Sequence, residues 1–238
     1  METIEGVILK HINYKESSKI IYLYTKNGLV SVLAYGSNKL KSPYLNVVRV
    51  FSHVRLFVSG KNLKTLRDGE VINRYLELTN DIEKYTYVLH LLETIYYFSS
   101  HEHDHEKLYL FLIKILNKLI NTKDYIPYIN MVELKLLYLL GVQPSLDKCI
   151  ICGKKTGLNF SIEDGGLCCK DHIKQNKFSK ETINLLKLLY FYNINKPVSI
   201  KYDKKSLISL RRLIDEYYEY HLNYKSRSRK LLQELLGY

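Results

Sequence analysis

All four cysteines of this chain fall between residues 149 and 169, in Cys149-Ile150-Ile151-Cys152-Gly153 and in Cys168-Cys169-Lys170-Asp171-His172. Cys-x-x-Cys and Cys-x-x-His are each short enough to turn two side chains toward one point, and sixteen residues lie between Cys152 and Cys169. That is the spacing of a zinc ribbon, two knuckles joined by a loop that folds back. The intervening residues suit a hairpin: apolar and polar residues alternate over 158–162, Asp164-Gly165-Gly166 can turn, and Leu167 leads into the second knuckle. Three thiolates and an imidazole, from Cys149, Cys152, Cys169 and His172, complete a tetrahedron around one Zn²⁺. No position is left for water or substrate, so the metal is expected to be structural. Cys169 is preferred to Cys168 because it keeps the two-residue gap to His172; Cys168 stays open as the alternative ligand. The competing reading is a set of buried reduced cysteines.

Such a module accounts for a fraction of 238 residues, and the rest divides by texture. Residues 1–78 read as short strands: Glu5 to Ile12, Ile20 to Thr25 ending in the hairpin turn Lys26-Asn27-Gly28, Leu29 to Ala34, Val47 to Phe51, Val54 to Val58, Leu63 to Leu66 and Glu70 to Leu76. That many strands in so few residues predicts a small barrel, of the oligonucleotide/oligosaccharide-binding (OB) or the SH3-like kind. After Thr79-Asn80-Asp81, a helix cap, apolar residues recur at helical spacing over Tyr85 to Ser99, Leu108 to Ile120 and Ile129 to Leu140. Helices resume behind Ser179-Lys180-Glu181-Thr182 at Ile183 to Tyr192, and continue over Lys204 to Leu222 and from about Arg227 to Leu236. Asn193 to Asp203 is a Pro-containing connector. The expected class is α+β multidomain, with a barrel over 1–78 and a helical domain over 79–238 that a zinc ribbon at 147–176 interrupts.

The net charge is +12, and its distribution narrows the partner. Residues 1–78 hold twelve Lys and Arg against six Asp and Glu, and residues 179–238 hold the same numbers. Residues 79–145 are slightly acidic. Two basic modules flanking an acidic one imply a polyanion, most commonly nucleic acid. The N-terminus lacks the apolar core of a signal peptide, no apolar run reaches membrane length, and reduced metal-binding cysteines suit the cytoplasm. Glycine-rich phosphate loops, nucleophile elbows and His-Glu-x-x-His helices are missing, so a binding protein is expected and not an enzyme. His101, His103 and His105 alternate with carboxylates in a segment between two helices. Their i, i+2, i+4 spacing fits no ligand geometry well and reads as a solvated loop.

Several short motifs, in order, carry a family resemblance: Tyr14-Lys15-Glu16-Ser17-Ser18, Lys26-Asn27-Gly28-Leu29-Val30-Ser31-Val32, Ala34-Tyr35-Gly36 with Lys41-Ser42, Gly165-Gly166-Leu167-Cys168-Cys169-Lys170-Asp171-His172, and Leu222 to Leu232 with Lys225-Ser226 and Ser228-Arg229. Together they resemble the RecO recombination mediators of bacterial DNA repair along essentially the whole chain. The family's last two ligands are usually both Cys, so His172 departs from the common pattern, but imidazole is an equally good zinc donor.

The resemblance implies an OB fold in residues 1–78 that binds single- and double-stranded DNA, and strand annealing without ATP. It further implies partnership with RecR, recognition of the C-terminal tail of single-stranded-DNA-binding protein, and replacement of that protein by the RecA filament, in the cytoplasm at the nucleoid. OB barrels track phosphates through cationic loops and stack bases on aromatic rings. On that basis Lys15, Lys19, Lys39, Lys41, Arg49 and Arg55 are candidate DNA contacts, with Tyr35 or Tyr44 as stackers. Arg211, Arg212, Lys225, Arg227, Arg229 and Lys230 could extend the track over the C-terminal helices. The rival readings are an RNA-binding or ribosome-associated protein, which length-matched DNA and RNA binding would separate, and a nuclease, which metal-dependent cleavage would reveal.

Overall fold

A computed structural model describes residues 1–61, 63–101, 104–175, 177–194 and 200–236. The chain forms two compact units, residues 1–123 and 124–238. The expected change from strands to helices at residue 78 is therefore not where the compact units part, because the first two helices pack with the barrel.

In the first unit, β1 (Glu2–Tyr14), β2 (Ser18–Thr25), β3 (Gly28–Ala34), β4 (His53–Ser59) and β5 (Lys64–Asn73) close in the order β1-β2-β3-β5-β4, with β4 pairing back onto β1. All pairs are antiparallel except β3 with β5. This five-stranded, Greek-key closure is OB-like. A register shift in β1 between Ile8 and Lys10 bends that strand so that its first half pairs with β4 and its second with β2. Alternate residues point inward, among them Ile21 and Leu23 of β2, Val32 and Ala34 of β3, and Val54, Leu56 and Val58 of β4.

Two local expectations fail for tertiary reasons. Val47 to Phe51 is a run of turns and not a strand, and Val47 and Val48 fold into the barrel core. Asp68-Gly69 does not break the last strand. β5 runs through it, and Gly69 serves because a Cβ there would meet Leu56 Cδ2 at 2.8 Å and Val47 Cγ1 at 2.9 Å.

Helices α1 (Ile82–Phe98) and α2 (His105–Ile120) start at Asp81 and Asp104, whose carboxylates accept from the free backbone N–H groups of the first turn. They cover part of the barrel's outer face: Tyr22 of β2 meets Tyr96 of α1 edge-on, and the Tyr24 hydroxyl lies 3.0 Å from His105 Nδ1 on α2. His105 thus begins a helix and packs on the barrel, against the solvated-loop expectation. His101 is exposed, and His103 lies outside the described residues.

The second unit holds α3 (Ile126–Leu139), the hairpin β6 (Leu158–Ser161) and β7 (Gly166–Cys169), then α4 (Lys180–Phe191), α5 (Lys204–Leu222) and α6 (Arg229–Leu236). Ser179 and Asp203 cap α4 and α5. Part of the expected connector before α5, residues 195–199, lies outside the described residues. Among the described residues no helix is long and apolar enough to cross a membrane.

Candidate metal centre and nucleic-acid interface

The metal centre is assembled from both ends of the ribbon. The first knuckle closes through Gly153 N–H donating to Cys149 C=O at 2.9 Å and Cys149 N–H donating to Lys154 C=O at 2.8 Å, with Gly153 at φ 77°. The second closes through His172 and Ile173 N–H donating to Cys169 C=O at 3.0 and 2.9 Å. Ile150 N–H donates to Leu167 C=O at 2.8 Å and fixes one knuckle against the other.

The result brings one donor atom from each of Cys149, Cys152, Cys169 and His172 within 4.8 Å of one another. Cys152 Sγ stands 3.6 Å from Cys169 Sγ, and His172 Nδ1 stands 3.3 Å from Cys169 Sγ and 3.7 Å from Cys149 Sγ. Metal–sulfur bonds of about 2.3 Å and metal–nitrogen bonds of about 2.0 Å in a tetrahedron require edges of roughly 3.5–3.8 Å. The four donors therefore fit a single ion, through Nδ1 of the imidazole.

The thiols differ in how readily they ionise. Burial opposes the Cys149 thiolate, but backbone N–H groups of Cys152, Cys169 and Ile151 donate to its sulfur and together bring its pKa down to about 5. Burial holds the Cys169 thiol above its ordinary value.

Cys168 packs beside Cys149 and Cys169 and its thiol interacts with Cys149, but it is not among the four clustered donors. Successive side chains of a strand point to opposite faces, so Cys168 and Cys169 cannot both face the metal. Cys168 is fully buried, and its thiol donates to Asp164 Oδ2 at 3.6 Å. Burial first, and the Asp164 charge second, push it up to about 12. Asp164 went unnoticed in the sequence except as a turn residue, and only the closed hairpin reveals its partner.

On the barrel, the β1–β2 turn (residues 15–17) and the long β3–β4 loop (residues 35–52) are stitched together. Asn38 N–H donates to Ser17 C=O at 2.9 Å, Gly36 N–H to Ser18 Oγ at 3.3 Å, and Asn38 Nδ2 to Asn13 Oδ1 at 3.2 Å. This brings exposed Lys15, Lys39 and Lys41 to one end of the barrel, with half-buried Lys19 on β2 beside them. Tyr35 is 55% exposed there and lines a concavity with Lys15 and Ser18. Arg49 is exposed further along the same loop. Lys61, exposed on the β4–β5 loop, was missed; the Ser59-Gly60 turn before it was the available signal, since OB ligands sit between that loop and the β1–β2 loop.

Four of the expected contacts are corrected. Arg55 pairs with Glu70 at 2.5 Å and Glu5 at 3.1 Å, so its charge is already countered. The Tyr44 ring packs on the barrel core and its hydroxyl donates to Arg67 C=O at 2.9 Å, which removes it as a free stacking platform. Arg211 is 1% exposed. It donates to both carboxylate oxygens of Glu133, to Asn130 Oδ1 and to Asp215 Oδ1. Arg229 is 7% exposed and reaches Asp215 at 3.1 Å and Glu219 at 3.2 Å. Two buried cations sit against two buried carboxylates, and this cluster ties α3, α5 and α6 together instead of facing a polyanion. Arg212 and Arg227 are exposed, while Lys225 lies 3.6 Å from Glu219 and Lys230 4.0 Å from Glu234.

Comparison with known proteins gives one consistent result. Residues 1–75 match the family model described as Recombination protein O N terminal, and residues 79–230 match Recombination protein O C terminal. The chain is 30% identical to the DNA repair protein RecO of Listeria monocytogenes serotype 4b (strain F2365), over 99% of this chain and 95% of that protein. It is 27% identical to the protein of the same name from Exiguobacterium sp. (strain ATCC BAA-1283 / AT1b), over 99% and 97%. For that of Halalkalibacterium halodurans the figures are 25%, 97% and 94%.

Proposed function

The chain belongs to the RecO family of DNA repair proteins, and from that premise we propose that it acts as a non-enzymatic recombination mediator. It binds single- and double-stranded DNA, anneals complementary strands without nucleotide hydrolysis, and works with RecR to replace single-stranded-DNA-binding protein by RecA at the nucleoid. The observation that carries this reading is the cationic end of the OB-like barrel. Lys15, Lys39 and Lys41 gather on two loops that hydrogen bonds hold together, with Lys19 at the start of β2 and the exposed ring of Tyr35 beside them. Ammonium groups of this kind hold phosphates without reading bases, and a ring beside them accepts any base face. Holding two strands on one basic surface also screens their mutual repulsion, which is what annealing requires. Arg49 extends the contact along the same loop, and the exposed Arg212 and Arg227 are separate candidate contacts on the second unit.

The metal in this reading is one Zn²⁺ per chain, held by Cys149, Cys152, Cys169 and His172. Three sulfurs and one imidazole nitrogen in a closed tetrahedron are the donor set of structural zinc. When bound, the ion supplies folding energy to the ribbon, and it takes no part in DNA chemistry.

The deciding experiment is annealing of complementary oligonucleotides with no ATP present. The strands are used bare, coated with single-stranded-DNA-binding protein, or coated with its tail-deleted form. Acceleration on bare and fully coated strands, with slower annealing on the tail-deleted coat, is the expected result. No acceleration on bare strands overturns the mediator reading, and equal rates on both coats remove the tail as a partner.

A further inference from the structure

We propose that the second unit carries its own single-stranded-DNA contact in the groove between the ribbon and α4, with Lys170 and Lys180 as the phosphate-binding residues. This rests on the DNA-binding reading above and gives it a site that is distinct from the barrel. The groove encloses about 660 Å³ and is lined by Gly157, Leu158, Asn159, Lys170, Ile173, Phe178, Ser179, Lys180 and Ile183. Leu158, Ile173, Phe178 and Ile183 make an apolar floor, and among the described residues the two lysines are its only charged walls and no carboxylate lines it.

Several neighbouring lysines are already paired: Lys154 with Asp171 at 2.5 Å, Lys174 with Glu163 at 3.0 Å, and Lys177 with Glu216 at 3.5 Å. Lys148 and Lys155 are exposed without an ion pair among the described residues, but neither lines the groove, so what sets Lys170 and Lys180 apart is their place over the apolar floor. Lys170 and Lys180 are exposed, and among the described residues neither has an ion-pair partner. Their neighbours in the chain form no ion pair with them. Asp171 is taken by Lys154, and Glu181, though it attracts Lys180 through space, is held chiefly by its own backbone N–H and the Ser179 hydroxyl. The Lys170 stem lies over Gly157, where a Cβ would stand 3.6 Å from its Cγ, so a bare backbone flanks the ammonium and leaves it open.

Two unpaired cations over an apolar floor complement a chain of alternating phosphates and flat apolar bases. Lysine acts as a point charge that accepts a phosphate from any direction, whereas a fixed carboxylate is better matched by the planar fork of arginine, and the groove has no arginine. A DNA backbone is therefore favoured here over an acidic peptide. The ribbon's closed metal shell then serves binding indirectly, by keeping the Lys170 wall in place.

The test compares two double variants of the full, metal-loaded chain. Lys170→Gln with Lys180→Gln removes the groove charges, and Lys174→Gln with Lys177→Gln removes the same total charge from lysines that already have partners. Binding of a mixed-sequence single-stranded oligonucleotide is measured across a salt series, and metal content per chain checks that both variants fold. Two lost phosphate contacts should lower affinity roughly tenfold at moderate salt and reduce the log–log salt slope by about 1.4. The control pair should change the slope little. Equal effects in the two pairs, or an unchanged slope in the groove pair, overturn the assignment. If Lys39→Gln with Lys41→Gln weakens binding while the groove pair does not, the groove falls and the barrel interface stands. If the wild type binds no oligonucleotide, both fail. Loss of an acidic apolar peptide by the groove pair, with DNA binding intact, would make the groove a peptide site and overturn this proposal.

Discussion

The barrel and the ribbon are both small β structures, but they are closed by different means. Inside the barrel, twelve buried side chains from Ile4 to Leu66, all aliphatic, form a continuous core. The ribbon's equivalent cluster is Cys149, Cys168 and Cys169, with Leu158 and Ile173 against them. Burying a dozen aliphatic groups at about 25 cal/mol per Å² can close a five-stranded barrel, whereas three thiols and two partly buried side chains cannot close a hairpin with two knuckles. The difference predicts where each region is vulnerable. Hydrocarbon loss should weaken the barrel, and donor loss should unmake the ribbon.

Metal removal should give the largest effect. Binding of structural zinc contributes about 10–16 kcal/mol in isolated zinc modules, and that energy is folding energy. Cys169→Ser should lose the metal and strip amide-exchange protection from residues 149–173 while β1–β5 keep theirs. Cys168→Ser should retain one metal per chain, as elemental analysis can read. Simultaneous loss of protection in the barrel would break the comparison.

Next in size is Leu56→Ala. Leu56 is fully buried in the barrel, and its truncation should cost about 2–5 kcal/mol in denaturant unfolding with metal content unchanged. Gly166→Ala sharpens the contrast from the ribbon side. A Cβ at 166 would stand 2.6 Å from Ser145 O, so overpacking of about 1–3 kcal/mol is expected with the metal still bound. A variant that instead releases its metal would falsify the view that the ion alone sets the ribbon's stability scale.

The smallest effect is a pH dependence in the barrel's unit. His53 of β4 lies 2.9 Å from the Tyr109 hydroxyl and 3.1 Å from Glu5 Oε1. Burial lowers its pKa below 6.5, and the attraction of Glu5 offsets this only in part. Below pH 6.5 the unfolded chain takes up a proton that the folded chain resists. Stability is thus fully present above 6.5 and falls as pH drops toward the folded value. Urea midpoints at pH 7.5 and 5.5 should show this fall in the wild type and a shallower one in His53→Gln.

Much of this division could be read from the chain. The knuckles are legible because both ligands of each pair sit within four residues, so local geometry dictates the site. Period-two alternation and the Lys26-Asn27-Gly28 turn located β2 and β3, and Asp81 and Ser179 marked two helix starts. What stayed hidden depends on partners far along the chain. Nothing near Arg211 announces that Glu133 will meet it across 78 residues, so a buried structural arginine read as a surface one. Val47 and Val48 read as strand because burial, not pairing, is what their apolar run serves. The groove lysines are hidden for the converse reason: their distinction is an apolar floor built by Leu158, Ile173, Phe178 and Ile183, which only the folded ribbon brings beside them.

Gly166 and Leu167 also determine which of two adjacent thiols meets the metal. A slip of β7 by one residue in one direction would push the Leu167 side chain against Ser145 O, where not even a methyl fits. A slip the other way would bring Cys168 to the ligand position, but it would put Gly166 in the fully buried place of Leu167 and leave a leucine-sized void. A smallest residue beside a large one thus works as a two-way ratchet stop. In the closed ribbon the alignment itself therefore presents one sulfur of the pair to the ion.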